Sequence, residues 1–281
     1  MRESARDSEE TWKGRLALLL IALFVLLHYC SVIGAYVRFN RTVVPTDDPF
    51  TYTMGFFWQL DLARTDFWEG LRMAFTSNWY WMLNLPIVLF SSVLVKEPFS
   101  LCIFNFAMFG AATAAFFRLA RRLEFGIGFS LVVAWLPWAF PLHYGFLDYT
   151  SLPVLGLDSM FLGALHLALA ATLLYALDPA RMGNAAFAGL STGLAIWARG
   201  NSLLVVGMVL LVPICAVLHG IWKQRERRSW AGFALFAGIC AGMTAFFYIK
   251  QGKQIATYYA DHLVFVQRND WSLVDAMPFI K

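Results

Sequence analysis

Six polar residues stand out in a chain of long apolar runs because their types could do chemistry: Asp47, Asp48, Asp158, Arg199, His262 and Arg268. A carboxylate serves as general base for a hydroxyl nucleophile, and guanidinium or imidazolium groups hold an anion such as a phosphate. Most of these residues also have a plainer reading. Asp47 and Asp48 stand in Thr46-Asp47-Asp48-Pro49-Phe50-Thr51-Tyr52, which reads as a helix N-cap followed by proline at the first helical position. Asp158, in Leu157-Asp158-Ser159-Met160, could do no more than complement a helix dipole. Arg199 has no sequence-local partner in Ala198-Arg199-Gly200-Asn201, and an ionisable group near membrane depth is costly enough to be paired or functional. His262 and Arg268 follow Tyr258-Tyr259-Ala260-Asp261 and are candidates for holding an anion, unless that segment is only a surface amphipathic helix. His28, His166 and His219 fall inside apolar runs and are expected to hydrogen-bond to neighbouring helices. Cys30, Cys102, Cys215 and Cys240 show no metal-binding spacing and are expected to be small core residues.

The elements that must position these residues are apolar helices. Of 281 residues, 59% are hydrophobic and only 14% charged, and the mean hydropathy is +0.60, which leaves too little polar surface for a soluble domain of this size. A net charge of +4 without a basic, aromatic-interleaved stripe gives nucleic-acid binding no support. A hydrocarbon core needs about 20 apolar helical residues to cross it. That length picks out seven runs: Leu16–Val37, Phe99–Phe117, Ile127–Pro141, Ser159–Ala176, Ala185–Ala198, Ser202–Ile221 and Ala231–Ile249. The expected fold is therefore all-α and polytopic, with the fifth and sixth runs forming a tight hairpin. The apolar stretch Trp79–Val95, interrupted by Asn84 and Pro86, is expected at the interface.

Orientation follows from Lys and Arg, which favour cytoplasmic loops. Residues 1–15, 118–124, 177–184 and 222–229 hold 12 of the 22 basic residues, so these segments and the N-terminus are expected in the cytoplasm, with the first span an uncleaved anchor. The outer segments are then residues 38–98 and 250–281. The first is too long for a connector and is expected to carry an amphipathic helix over Tyr52–Phe75, with Trp58, Phe67 and Trp68 at headgroup depth among Asp61, Arg64, Asp66, Glu69 and Arg72.

The order of these features resembles the GT-C superfamily of membrane glycosyltransferases, in particular the protein O-mannosyltransferases and lipid A aminoarabinose transferases. Asp47-Asp48-Pro49-Phe50-Thr51-Tyr52 resembles the acidic motif opening that family's first outer loop, and Leu157-Asp158-Ser159-Met160-Phe161 its counterpart at the fourth span. The run from Gly189 through Gly193 to Arg199 resembles the family's glycine-rich hairpin ending in a basic residue. Tyr258 to His262 with Gln267-Arg268 resembles its loop after the seventh span. In place of the Lys-Pro element that often follows the amphipathic helix stand only Asn84-Leu85-Pro86 and Lys96-Glu97-Pro98.

The resemblance implies one GT-C-like transmembrane domain over residues 1–281, matching the N-terminal half of a typical member. The chain is then a fragment, a short relative or one subunit of a split enzyme. It also implies transfer of a sugar from a polyprenyl-phosphate donor on the non-cytoplasmic face of a bacterial inner membrane or eukaryotic ER membrane. Asp48, or alternatively Asp47, would be the general base, Asp158 would orient donor or acceptor, and Arg199 with His262 or Arg268 would hold the donor phosphate. No cofactor is required, although a divalent cation (Mg or Mn) shared by Asp48 and Asp158 through hard oxygen ligands is left open. The competing expectations are a non-catalytic subunit working with a partner in a larger membrane complex, and a transporter.

Overall fold

The computed structural model describes residues 2–39, 61–76, 100–135, 157–198, 202–224 and 226–259. The protein is all-α, with no strand among these residues. Its helices are α1 (Arg2–Phe39), α2 (Phe67–Thr76), α3 (Ser100–Arg122), α4 (Ile127–Ala134), α5 (Leu157–Leu177), α6 (Met182–Trp197), α7 (Ser202–Gln224) and α8 (Arg227–Tyr259).

The turns between helices are set by local chemistry. α3 ends in a Schellman motif: the Phe125 N–H bonds the Ala120 carbonyl, the Glu124 N–H bonds that of Arg121, and Glu124 sits at φ 64° where glycine is usual. Arg121 Nη1 donates to the Phe125 carbonyl at 2.6 Å and Ser130 Oγ to that of Gly126 at 2.9 Å, so the four-residue link to α4 is fully tied. α5 ends at Leu177, where Pro179 cannot continue the helix, and Asn184 Nδ2 reaches back to the Leu174 carbonyl at 3.3 Å.

Side-chain pairings show that the long helices alternate in direction. α1 and α3 are antiparallel, since Val25 packs beside Gly110 and His28 beside Phe106, while Ala17 and Ile21 meet Phe117. The short link turns α4 back along α3, so that Trp135 sets its ring edge-on to Phe24. α3 and α5 run parallel, with Phe109 against Gly163 and Phe116 against His166. α5 and α7 also run parallel, their C-terminal ends meeting where Gly220 faces Pro179 and the Ala176 carbonyl.

α6 and α8 are parallel and closely packed. A Cβ at Gly189 would stand 3.0 Å from Ile239 Cβ and 3.1 Å from the Phe236 carbonyl, and one at Gly193 would overlap Met243 Sδ. The two glycines, one turn apart, let α8 approach the α6 backbone.

The interior mixes small residues with bulky ones such as Phe109, Tyr175, Leu210, Ile221 and Phe247. Ala112, Ala164, Ala168, Ala171, Ala185, Ala188 and Ala195 are fully buried, with Thr113, Thr172, Ser202 and Ser229 among them. Bulky apolar side chains also face outward in number: Leu204, Met208 and Val212 on α7 are 72%, 70% and 74% exposed. Soluble domains bury such residues first.

Three expectations are corrected. The continuous helix expected over Tyr52–Phe75 is broken at Asp66: residues 61–65 are helical, and Asp66 Oδ1 then accepts the Glu69 N–H at 3.0 Å, so that the carboxylate caps a new helix, α2. Cys30 and Cys215 are exposed rather than in the core, because their helix faces point away from the described neighbours, whereas Cys240 lies between helices and donates to the Gly189 carbonyl at 3.6 Å. His166 bonds, through Nδ1 at 2.7 Å, the Leu162 carbonyl of its own helix, since the carbonyl one turn back lies within reach of the ring.

Candidate functional site

Of the six candidates, Asp158 alone falls among the described residues, its backbone in the first turn of α5. Asp47, Asp48, Arg199, His262 and Arg268 lie outside them. The alternation of helix direction relates the described segments that lead toward these positions. The C-terminus of α1, which precedes Asp47 and Asp48 in the chain, shares one end of the bundle with the N-terminus of α5. The C-terminus of α6, two positions before Arg199, is at that end, as is the C-terminus of α8, three positions before His262.

The chain on either side of residues 199–201 is firmly held. Trp197 donates its indole N–H to the Met243 carbonyl of α8 at 2.8 Å and sets its ring beside Phe246. Ser202, fully buried, donates Oγ to the Ile196 carbonyl at 2.6 Å. The end of α6 is thereby bound to α8 through one bond and to the start of α7 through the other. Sequence reasoning missed both residues. A serine opening an apolar run was the available signal for Ser202, although it bonds back to α6 rather than capping α7. Nothing local marks the role of Trp197.

Within residues 61–76, charged side chains pair with one another. Arg64 Nη1 reaches Asp61 Oδ1 at 3.4 Å, and Arg72 Nε donates to Glu69 Oε2 at 2.6 Å with a second bond from Nη2 to Oε1. The Arg72 hydrogen bonds hold the Glu69 carboxyl below its ordinary pKa, and Glu69 in turn raises that of Arg72. α2 leaves Trp68 75% exposed on its outer face.

The opposite end of the bundle is basic. It gathers the start of α1 with Lys13 and Arg15, the end of α3 with Arg118, Arg121 and Arg122, the α5–α6 turn with Arg181, and the α7–α8 turn with Lys223, Arg227 and Arg228. Between the two ends no described helix carries an ionised side chain.

Neither a protein-family model, nor a curated protein, nor a solved structure matches this chain. The fold by itself defines a class: an all-α protein with two described helical segments, Ser202–Lys223 and Arg227–Ile249, long and apolar enough to cross a membrane. A shorter apolar helix, Phe161–Leu177, lies beside them.

Proposed function

We propose that this chain is a seven-span membrane protein with its basic end in the cytoplasm, and that it transfers a sugar from a polyprenyl-phosphate donor at the opposite face. The spanning reading is supported by the many large apolar side chains left exposed, Leu204, Met208 and Val212 among them, and by the small residues at close helix contacts such as Gly189 and Gly193. Helix association in lipid works in this way, because lipid tails remove the incentive to bury large apolar groups. The gathering of basic segments at one end fits the bias that orients such proteins. The spans proposed are α1, α3, α4 with the residues following it, α5, α6, α7 and α8.

The observation that carries the transferase proposal is the shared end. The described helix termini leading to Asp47, Asp48, Arg199, His262 and Arg268 all lie at the end that holds Asp158. In the proposed reaction, Asp48 accepts the proton of an acceptor hydroxyl, or Asp47 does so in its place. The acceptor oxygen bonds to the anomeric carbon as the bond from that carbon to the phosphate oxygen breaks. The electron pair leaves on the polyprenyl phosphate, and single displacement inverts the anomeric centre. Arg199, with His262 or Arg268, offsets the charge gathering on the departing phosphate, and Asp158 orients donor or acceptor. A transport pathway would want charged residues at mid-span, and the described helices carry their charges at the ends.

The test is sugar transfer from a synthetic polyprenyl-phosphate donor by reconstituted protein. General-base removal in Asp48→Asn should lower the rate by about 10²–10⁴, and Asp158→Asn should raise KM for donor or acceptor. Transfer unaffected by both Asp48→Asn and Asp47→Asn would refute the base assignment. Inactive wild-type protein, reconstituted with whatever subunits co-purify, would refute the transferase proposal.

A further inference from the structure

On the outer flank of the bundle, α1 and α3 enclose a cavity of 610 Å³ between Leu18 and Val25 on one side and Ala107, Gly110 and Ala114 on the other. Its α3 wall is lined by the small residues Ala107, Gly110 and Ala114, which follow one another along a single face of the helix. Its walls are apolar except at one end, where Arg118 closes it. Resting on the membrane reading above, we propose that this groove binds one acyl chain of an anionic phospholipid from the leaflet at the basic end, with its phosphate held by Arg118.

Length argues for a lipid of that leaflet. From Arg118 to Phe106, both of which line the groove, α3 rises roughly 18 Å at 1.5 Å per residue. Half of a hydrocarbon core is roughly 15 Å. The groove therefore starts at headgroup level and stops near the bilayer midplane, the reach of one acyl tail.

Charge argues for an anionic head. Arg118 has no hydrogen-bond or ion-pair partner among the described residues, and the same holds for Arg15, one turn before Leu18 on the groove side of α1, and Arg122, one turn beyond Arg118 on α3. A volume of 610 Å³ lies within the range of about 300–1,000 Å³ usual for small-molecule sites. The groove also lies toward the end opposite Asp158, so its occupant is distinct from the proposed sugar donor.

The experiment uses the full chain, delipidated in detergent and given equal amounts of phosphatidylglycerol and phosphatidylcholine with identical tails. Native mass spectrometry then counts the bound lipids. The wild type should favour phosphatidylglycerol about fivefold, the ratio that ~1 kcal/mol per basic residue at an anionic surface gives. Arg118→Gln should reduce the preference, and Arg118→Lys should keep it. Ala114→Leu, or Ala107→Leu if the first does not fold, should reduce adducts of both lipids by filling the groove.

A preference unchanged in Arg118→Gln overturns the headgroup contact, and adducts unchanged in both groove-filling variants overturn the site. Displacement of the bound lipid by inorganic phosphate alone, or a homodimer lost on filling the groove, would show a different occupant and also overturn it. Flotation with liposomes separates the two levels. Protein that does not float refutes the membrane reading and this inference with it, whereas protein that floats and fails the lipid assay refutes this inference alone.

Discussion

Gly232 tests the packing at the basic end directly. A Cβ added there would stand 2.9 Å from the Pro179 carbonyl oxygen and 3.2 Å from Tyr175 Oη. Tyr175 is fully buried and the carbonyl belongs to the turn joining α5 to α6, so neither neighbour can swing aside. Gly238, on the same helix, has open space around its Cβ position. Alanine at either site gains the same helix propensity, up to about 1 kcal/mol, so the difference between the two variants isolates the clash. Overpacking of this kind costs about 1–3 kcal/mol. At about 2–4 °C per kcal/mol for a chain of this size, Gly232→Ala should melt roughly 2–12 °C below Gly238→Ala. The assay is thermal unfolding in detergent, followed by tryptophan fluorescence and far-UV circular dichroism. Equal melting temperatures for the two variants would mean that the α5–α6 turn does not press on α8.

Glu124→Gly should stabilise the protein by about 1 kcal/mol, because it relieves a left-handed backbone that a side chain disfavours; a lower melting temperature would count against the Schellman turn. The Glu69–Arg72 pair should stabilise α2 above the ordinary glutamate pKa and lose that contribution as pH falls through the lowered value in the folded state. A carboxyl titration by NMR checks this, with Arg72→Gln expected to restore an ordinary midpoint. Cys30 and Cys215, exposed in the protein, should face lipid in a bilayer. They should therefore resist a water-soluble maleimide in proteoliposomes and react after denaturation, whereas rapid labelling in the bilayer would contradict the membrane placement of α1 and α7.

The helical runs were legible because length and continuous apolarity are properties each segment carries alone. The boundary at Leu177 follows from Pro179. The break at Asp66 was less visible, since an acid among other acids and bases looks like a surface residue until its oxygen is seen taking an N–H. Partner choice was not legible. Gly189 and Gly193 read as a motif, but the sequence does not say that they admit α8 rather than the adjacent α7. For the same reason Cys30 and Cys215 were expected inside: an apolar run does not say which of its faces meets a neighbouring helix. Of the candidate site, residue types and order were legible, and the described residues add the supports at Trp197 and Ser202.

The pairing of α6 with α8 also sets an order of events during synthesis. The partner that covers the face of Gly189 and Gly193 lies beyond the whole of α7 in the chain. At about 5–20 residues per second, the roughly 50 residues from the end of α6 to Ile249 take about 3–10 s to appear. For that interval the nascent chain carries an unclosed seam, and α7 leaves the ribosome before the helix that completes the contact behind it. A ribosomal pause or a helix-breaking substitution within α8 would lengthen the interval, exposing the half-assembled bundle to quality control without altering any residue of α6.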